Sequence, residues 1–185
     1  MPLIRFATTR DLFEAFPTAQ QDVDAEPSDR PPLDFLRSLA DSGELNKAAA
    51  FCAYLLPRRE AVGWGCWSVR RLAEKLPAEE EAGVKVAEDW VQVPEENRRI
   101  VALELGTRSN YHWPSTWLAL AAGWSGGNIA LGIQGAVAPP PPQQTARAVR
   151  AALAAAVARL APGERVDRLR TCVEAGIRIA ADGGP

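Results

Sequence analysis

The chain has 185 residues and a mass of 20.0 kDa, enough for one domain with a substantial core. Hydrophobic residues make up 47% and charged residues 24%, which excludes wholesale disorder; the formal net charge of −2 removes the bulk electrostatic case for nucleic-acid binding. A single histidine excludes a multi-histidine metal site, and three cysteines (Cys52, Cys66 and Cys172) with no Cys-x-x-Cys spacing argue against structural zinc.

The opening stretch, residues 1–16, has no basic segment followed by an apolar run, so no secretory signal is expected. The odd cysteine count fits a reducing compartment, and the expected location is cytoplasmic. Helices are predicted near 9–16, 32–42, 44–56, 58–76, 79–92, 95–107, 114–124, 145–160 and 164–181. Apolar residues at steps of three and four define their faces: Leu45, Ala48, Ala49, Cys52, Leu55 and Leu56, then Val62, Cys66, Val69, Ala73 and Leu76. Toward the C-terminus Ala146, Val149, Leu153, Ala156 and Leu160 follow the same rule, as do Val166, Leu169, Val173, Ile177 and Ala180. No comparable run alternates with period two. The expected fold is all-α, a single helical domain over residues 1–185 built as a compact multi-helix bundle or a short solenoid-like array of helix pairs.

Prolines mark the starts. Pro57, Pro77, Pro94 and Pro114 each open a helical segment, where a missing N–H costs nothing. Their spacings of 20, 17 and 20 make a 37-residue interval, the length of a helix-pair repeat. Residues 17–31 are acidic and carry three prolines, so they are read as an extended surface link. Residues 125–144, ending in Pro139–Pro142, are read as a glycine-rich loop running into a stiff polyproline connector. From Ser109 to Ala146 there is no charged residue, but the prolines, glycines and polar groups within that stretch favour a buried helix followed by a loop over a membrane span.

Few groups look poised for chemistry. His112 is the one candidate general base, and a Cys–His dyad would need a thiol beside it, yet Cys52 and Cys66 fall on apolar stripes and Cys172 next to one. Glu79, Glu80, Glu81, Glu95 and Glu96 follow helix-opening prolines, where the helix dipole accounts for carboxylates. Arg58 and Arg59 sit at the unfavourable end of that dipole, which calls for an offsetting group: an internal ion-pair network with acids such as Glu60, or an external acidic partner. Trp64, Trp67, Trp90, Trp113, Trp117 and Trp124 crowd the middle of the chain. Trp64 lies off the Val62/Cys66/Val69 face, so helix 58–76 is apolar on two sides, and is either central or faces a partner. The C-terminal stretch, with seven Arg against four acids, offers partners for the acidic segment 11–34.

Several segments together resemble an uncharacterised bacterial domain family: Asp11–Pro17 (DLFEAFP), Leu56–Val62 (LPRREAV) leading to Trp64, Ala87–Val91, Pro94–Arg98, Trp124–Gly127 (WSGG), and Thr145–Val149 after the proline run. Gly63 and Gly65, flanking Trp64, depart from the bulkier pattern of that family. Members are often encoded near type VI secretion genes, and the resemblance implies no established activity. The expectation is therefore a non-enzymatic adaptor or accessory protein of type VI secretion, with no cofactor and no metal. It would contact another protein, a secretion component or effector, through Arg58, Arg59, Glu60, Trp64, Trp67 and the Trp124-Ser125-Gly126-Gly127 loop. The alternatives are a small enzyme using His112 with a thiol or carboxylate, and an immunity-type partner of a toxin.

Overall fold

The computed structural model describes residues 3–130 and 137–182. Among these residues the chain forms ten helices: α1 (Thr9–Ala15), α2 (Ala19–Val23), α3 (Pro32–Asp41), α4 (Leu45–Leu55), α5 (Arg58–Leu72), α6 (Ala78–Gln92), α7 (Glu96–Arg108), α8 (Pro114–Gly123), α9 (Gln144–Ala158) and α10 (Arg165–Asp182). The all-α reading holds, and each of the nine predicted helices is present. The largest boundary difference is α5, which stops at Leu72 rather than 76. Ala73 turns to extended backbone, and Leu76, preceding Pro77, is disfavoured in a helix.

Two loop readings need correction. The link 17–31 is not wholly extended: α2 lies inside it, with Ala19 and Val23 fully buried. It ends on Asp24 at φ 56°, a left-handed residue that stops the helix after five residues. The 125–144 loop carries a two-residue antiparallel ladder, β1 (Ile129–Ala130) with β2 (Val137–Ala138), Ile129 opposite Ala138. Its central part, 131–136, lies outside the described residues. Of the proline run, Pro140 is buried against the body while Pro139, Pro141 and Pro142 are exposed.

The charge-free stretch supplies the central helix. Nine of the ten residues of α8 are buried, and α5, α6, α7 and α9 all pack on it. A helix apolar on every side can only be placed inside a bundle. Its neighbours come unusually close: a Cβ on Gly83 of α6 would meet Ser115 at 2.9 Å, and one on Gly106 of α7 would meet Leu120 at 2.8 Å. Gly65 of α5 has the same cause, since a Cβ there would meet Leu118 at 2.9 Å and Val149 at 3.1 Å. No described helix is long and apolar enough to cross a membrane.

The chain closes on itself rather than stacking pair upon pair. Helix α9 packs on α4, α5 and α8, while α10 runs back across α3, α4 and α5. This is a bundle, and the solenoid alternative falls, because a solenoid repeat touches only its sequence neighbours. The stripe expected on α10 shifts with it: Leu169, Val173 and Ala180 are buried, but Val166, in the first turn, is 58% exposed.

All five phenylalanines belong to the N-terminal part of the molecule. Phe13 and Phe35 stand edge-on to Phe51, and Phe16 packs on both Phe6 and Tyr54, seating α1 and α3 on α4. A capping box closes the start of α1, Thr8 accepting from the Asp11 amide and Asp11 from the Thr8 amide.

Candidate functional site

The start of α5 and the Trp124–Gly127 loop, far apart in sequence, meet in the fold. Arg58 donates to the Ser125 carbonyl at 3.0 Å, just past the C-terminus of α8. Arg59 donates to the carbonyls of Val91 and Gln92 at 2.6 and 3.4 Å, at the end of α6. The expected ion-pair network is therefore replaced by something else: among the described residues neither arginine pairs with an acid. Each instead answers the unpaired carbonyls at another helix's negative end, which offsets its own position at a positive one. Burial, and then the nearby Arg5, lower the Arg58 pKa from its ordinary value.

This use of arginine recurs throughout the bundle. Arg98 donates to Asp89 O at the end of α6, Arg170 to Ala40 O at the end of α3, and Arg165 to Ala158 O and Leu160 O at the end of α9. Arg99, a residue sequence reasoning missed, does so for the loop itself. Only 4% exposed, it donates to Gly123 O at 2.6 Å while Glu96 grips it with both oxygens at 2.8 and 2.6 Å. Gly127 lies flat on the guanidinium at φ 61°, and a Cβ there would collide with it. Ser125 adds a hydroxyl contact to Thr145 at 3.3 Å. The loop is held from three sides.

The tryptophans divide. Trp64 is 1% exposed, its indole N–H donating to Cys172 O at 2.8 Å, so it anchors α5 to α10 and presents no outer surface to a partner. Trp67, one turn on, is 44% exposed. Trp124 is half-buried beside the loop. Beneath Trp67 runs a groove of about 740 Å³ between α5 and α10, reaching from Arg59 and Glu60 to Arg178 and Asp182, with Trp64, Val91 and Ile179 in its walls. A second groove of about 420 Å³ lies on the other side of Trp67, against α6. Arg178 and Ile179 also escaped the sequence reading, although Ala175, Arg178, Ile179 and Asp182 are spaced as one helical face.

The alternative chemistry finds little support in this geometry. Cys52, Cys66 and Cys172 are all buried, and burial pushes each thiol pKa up, away from a reactive thiolate. His112 is exposed; its backbone N–H donates to Asn110 Oδ1 and its carbonyl accepts from Arg159 at 3.4 Å. Glu80, one of the helix-start carboxylates, is buried and bound by Arg159 at 2.8 and 3.1 Å. Among the described residues no group of three or more His, Cys, Asp or Glu is placed to hold a metal ion.

The family-model comparison places these features in a wider set: the chain belongs to the family of unknown function DUF6931, whose model matches residues 35–180. That stretch contains Arg58, Trp67, Arg99 and the Trp124–Gly127 loop, while Asp11–Pro17 lies outside it. No curated protein and no solved structure matches the chain.

Proposed function

We propose that this DUF6931 member is a non-enzymatic binding protein, an accessory or adaptor that contacts another protein through the outer face of α5 and the adjoining Trp124–Gly127 loop. The observation that carries the reading is the joining of two distant segments by the Arg58–Ser125 contact at 3.0 Å, beside an exposed tryptophan over a groove. Large aromatic and arginine side chains at an open, pre-shaped surface are the composition of binding hot spots. Type VI secretion is the proposed setting, on the sequence resemblance alone, and a cytoplasmic location goes with it. The buried thiols and the solvent-facing His112 favour binding over the enzyme alternative.

The test is affinity capture with the tagged full chain from its native lysate. Recovery of a secretion component, reduced by Trp67→Ala and by Arg58→Ala, is the expected result. Recovery that neither substitution changes would remove this face from consideration. Thiol labelling separates the enzyme alternative: all three cysteines should be protected in the native protein and labelled only on unfolding, and one fast-reacting native thiol would count against the binding reading.

A further inference from the structure

We infer that the Trp67 groove receives an amphipathic helix of a partner protein, with its apolar stripe seated between α5 and α10 and its flanks carrying carboxylates. This rests on the binding reading above and deepens it by naming the chemistry of the partner.

The geometry is that of a slot for a helix. One wall is Glu60, Gly63, Trp64 and Trp67 on α5. The other is Ala175, Arg178, Ile179 and Asp182 on α10. Both rows follow the i, i+3, i+4, i+7 rule, so each is one straight helical face about 10 Å long. Two such rows leave a trough that a third helix fills with residues of the same spacing, while their backbones, bonded internally, offer no edge to a strand. Gly63 and Ala175 keep the floor shallow, and Trp67 rises as the side wall.

The charges decide the partner's sign. Three guanidinium groups ring Trp67: Arg59, bonded only to carbonyl oxygens, and Arg71 and Arg178, which are exposed and make neither an ion pair nor a side-chain hydrogen bond among the described residues. Arg70, between them, is already neutralised by Glu81 and Glu88, both at 2.6 Å. Glu60 and Asp182 are the carboxylates left on the groove. A protein of net charge −2 thus carries a local excess of cation around its exposed tryptophan. A helix with glutamates beside its apolar stripe complements that excess, whereas one with lysines meets repulsion.

The experiment titrates the full chain with two synthetic helical peptides that share one leucine stripe, one with glutamate flanks and the other with lysine flanks. Acrylamide quenching of tryptophan fluorescence reads out coverage of Trp67. The glutamate peptide should protect the tryptophan, and the lysine peptide should bind about tenfold more weakly or worse. Trp67→Ala and the pair Arg71→Glu with Arg178→Glu, all at exposed positions, should each weaken the glutamate peptide by about tenfold with the circular dichroism unchanged. Equal binding of the two peptides, no binding of either, or binding indifferent to these substitutions would overturn the inference. So would a dimer of this chain that dissociates on Trp67→Ala, because a second copy would then be the occupant. Lysate capture that needs Trp67 but ignores the arginine reversals sinks this inference and leaves the binding reading intact. Capture that ignores both sinks the reading itself.

Discussion

Asp22 shows how much one side chain can hold. It lies in α2, is 7% exposed, and accepts from Tyr54, from Arg147 at 2.7 and 3.1 Å, and pairs with Arg150 at 3.1 Å. Burial pulls its pKa up, but the hydrogen bonds from Arg147 and Tyr54 and the two positive charges outweigh that and hold it below the usual carboxylate range. The same contact, after burial itself, pushes the Tyr54 hydroxyl up to about 12. A folded pKa below the unfolded one means Asp22 stabilises fully above the unfolded value of about 3.9, and that stabilisation is lost as pH falls through the folded pKa. Asp22→Asn should therefore cost about 1–3 kcal/mol at neutral pH in urea denaturation, with the gap from wild type closing in acid. At Gly127 the constraint is steric. Gly127→Ala should lower stability by about 1–2 kcal/mol, because an L residue resists positive φ and its Cβ would displace Arg99. Gly126→Ala, whose Cβ would stand 3.9 Å from Arg99, should be close to neutral; thermal melts of the pair make the comparison.

Among the elements, α5 does two jobs on two faces. Its inner face binds α8, α9 and α10 through Gly65, Val69 and Trp64, and its outer face offers Trp67. Trp64→Ala should cost about 3–5 kcal/mol, through a cavity and the unpaired Cys172 carbonyl, whereas Trp67→Ala should cost under about 1 kcal/mol. Denaturant midpoints of the two variants decide the matter, and equal losses would mean that Trp67 is structural. The two-sided apolar character of this helix was legible in its sequence, but periodicity alone ranks neither tryptophan, since both are equally hydrophobic. What separates them is α10: Cys172 and Gly176 meet Trp64 and nothing meets Trp67 in the same way. The arginine caps were illegible for a similar reason. Arg58 and Arg59 were correctly marked as needing an offsetting group, yet the groups that supply it are carbonyls, which every residue carries and no sequence advertises.

For the whole molecule, the N-terminal helices act as a lid on α4. They lie largely outside the family match, which begins at residue 35, yet they cover Phe51 and Tyr54, both buried. Thr9 ties the segment down through Ser28, and Asp22 clips it to α9. Removing residues 1–31 should expose that aromatic surface, lower the melting temperature by several degrees and raise binding of a hydrophobic dye. Unchanged melting on truncation would show that α3–α10 stand alone.

The sequence by itself determined the helical class, the nine longer helices and the inside position of α8, because periodicity, proline placement and absence of charge are local properties that act before tertiary contact. It also hinted that the basic C-terminal helices and the acidic N-terminal segment attract, an attraction that Arg147, Arg150 and Asp22 realise. Only the tertiary structure decided that the chain closes as a bundle, that α2 forms within a segment read as a link, and that the LPRRE and WSGG segments share a face. Each of those depends on a partner more than thirty residues away, such as Tyr54 for Asp22 and Ser125 for Arg58, and local pattern carries no information at that distance.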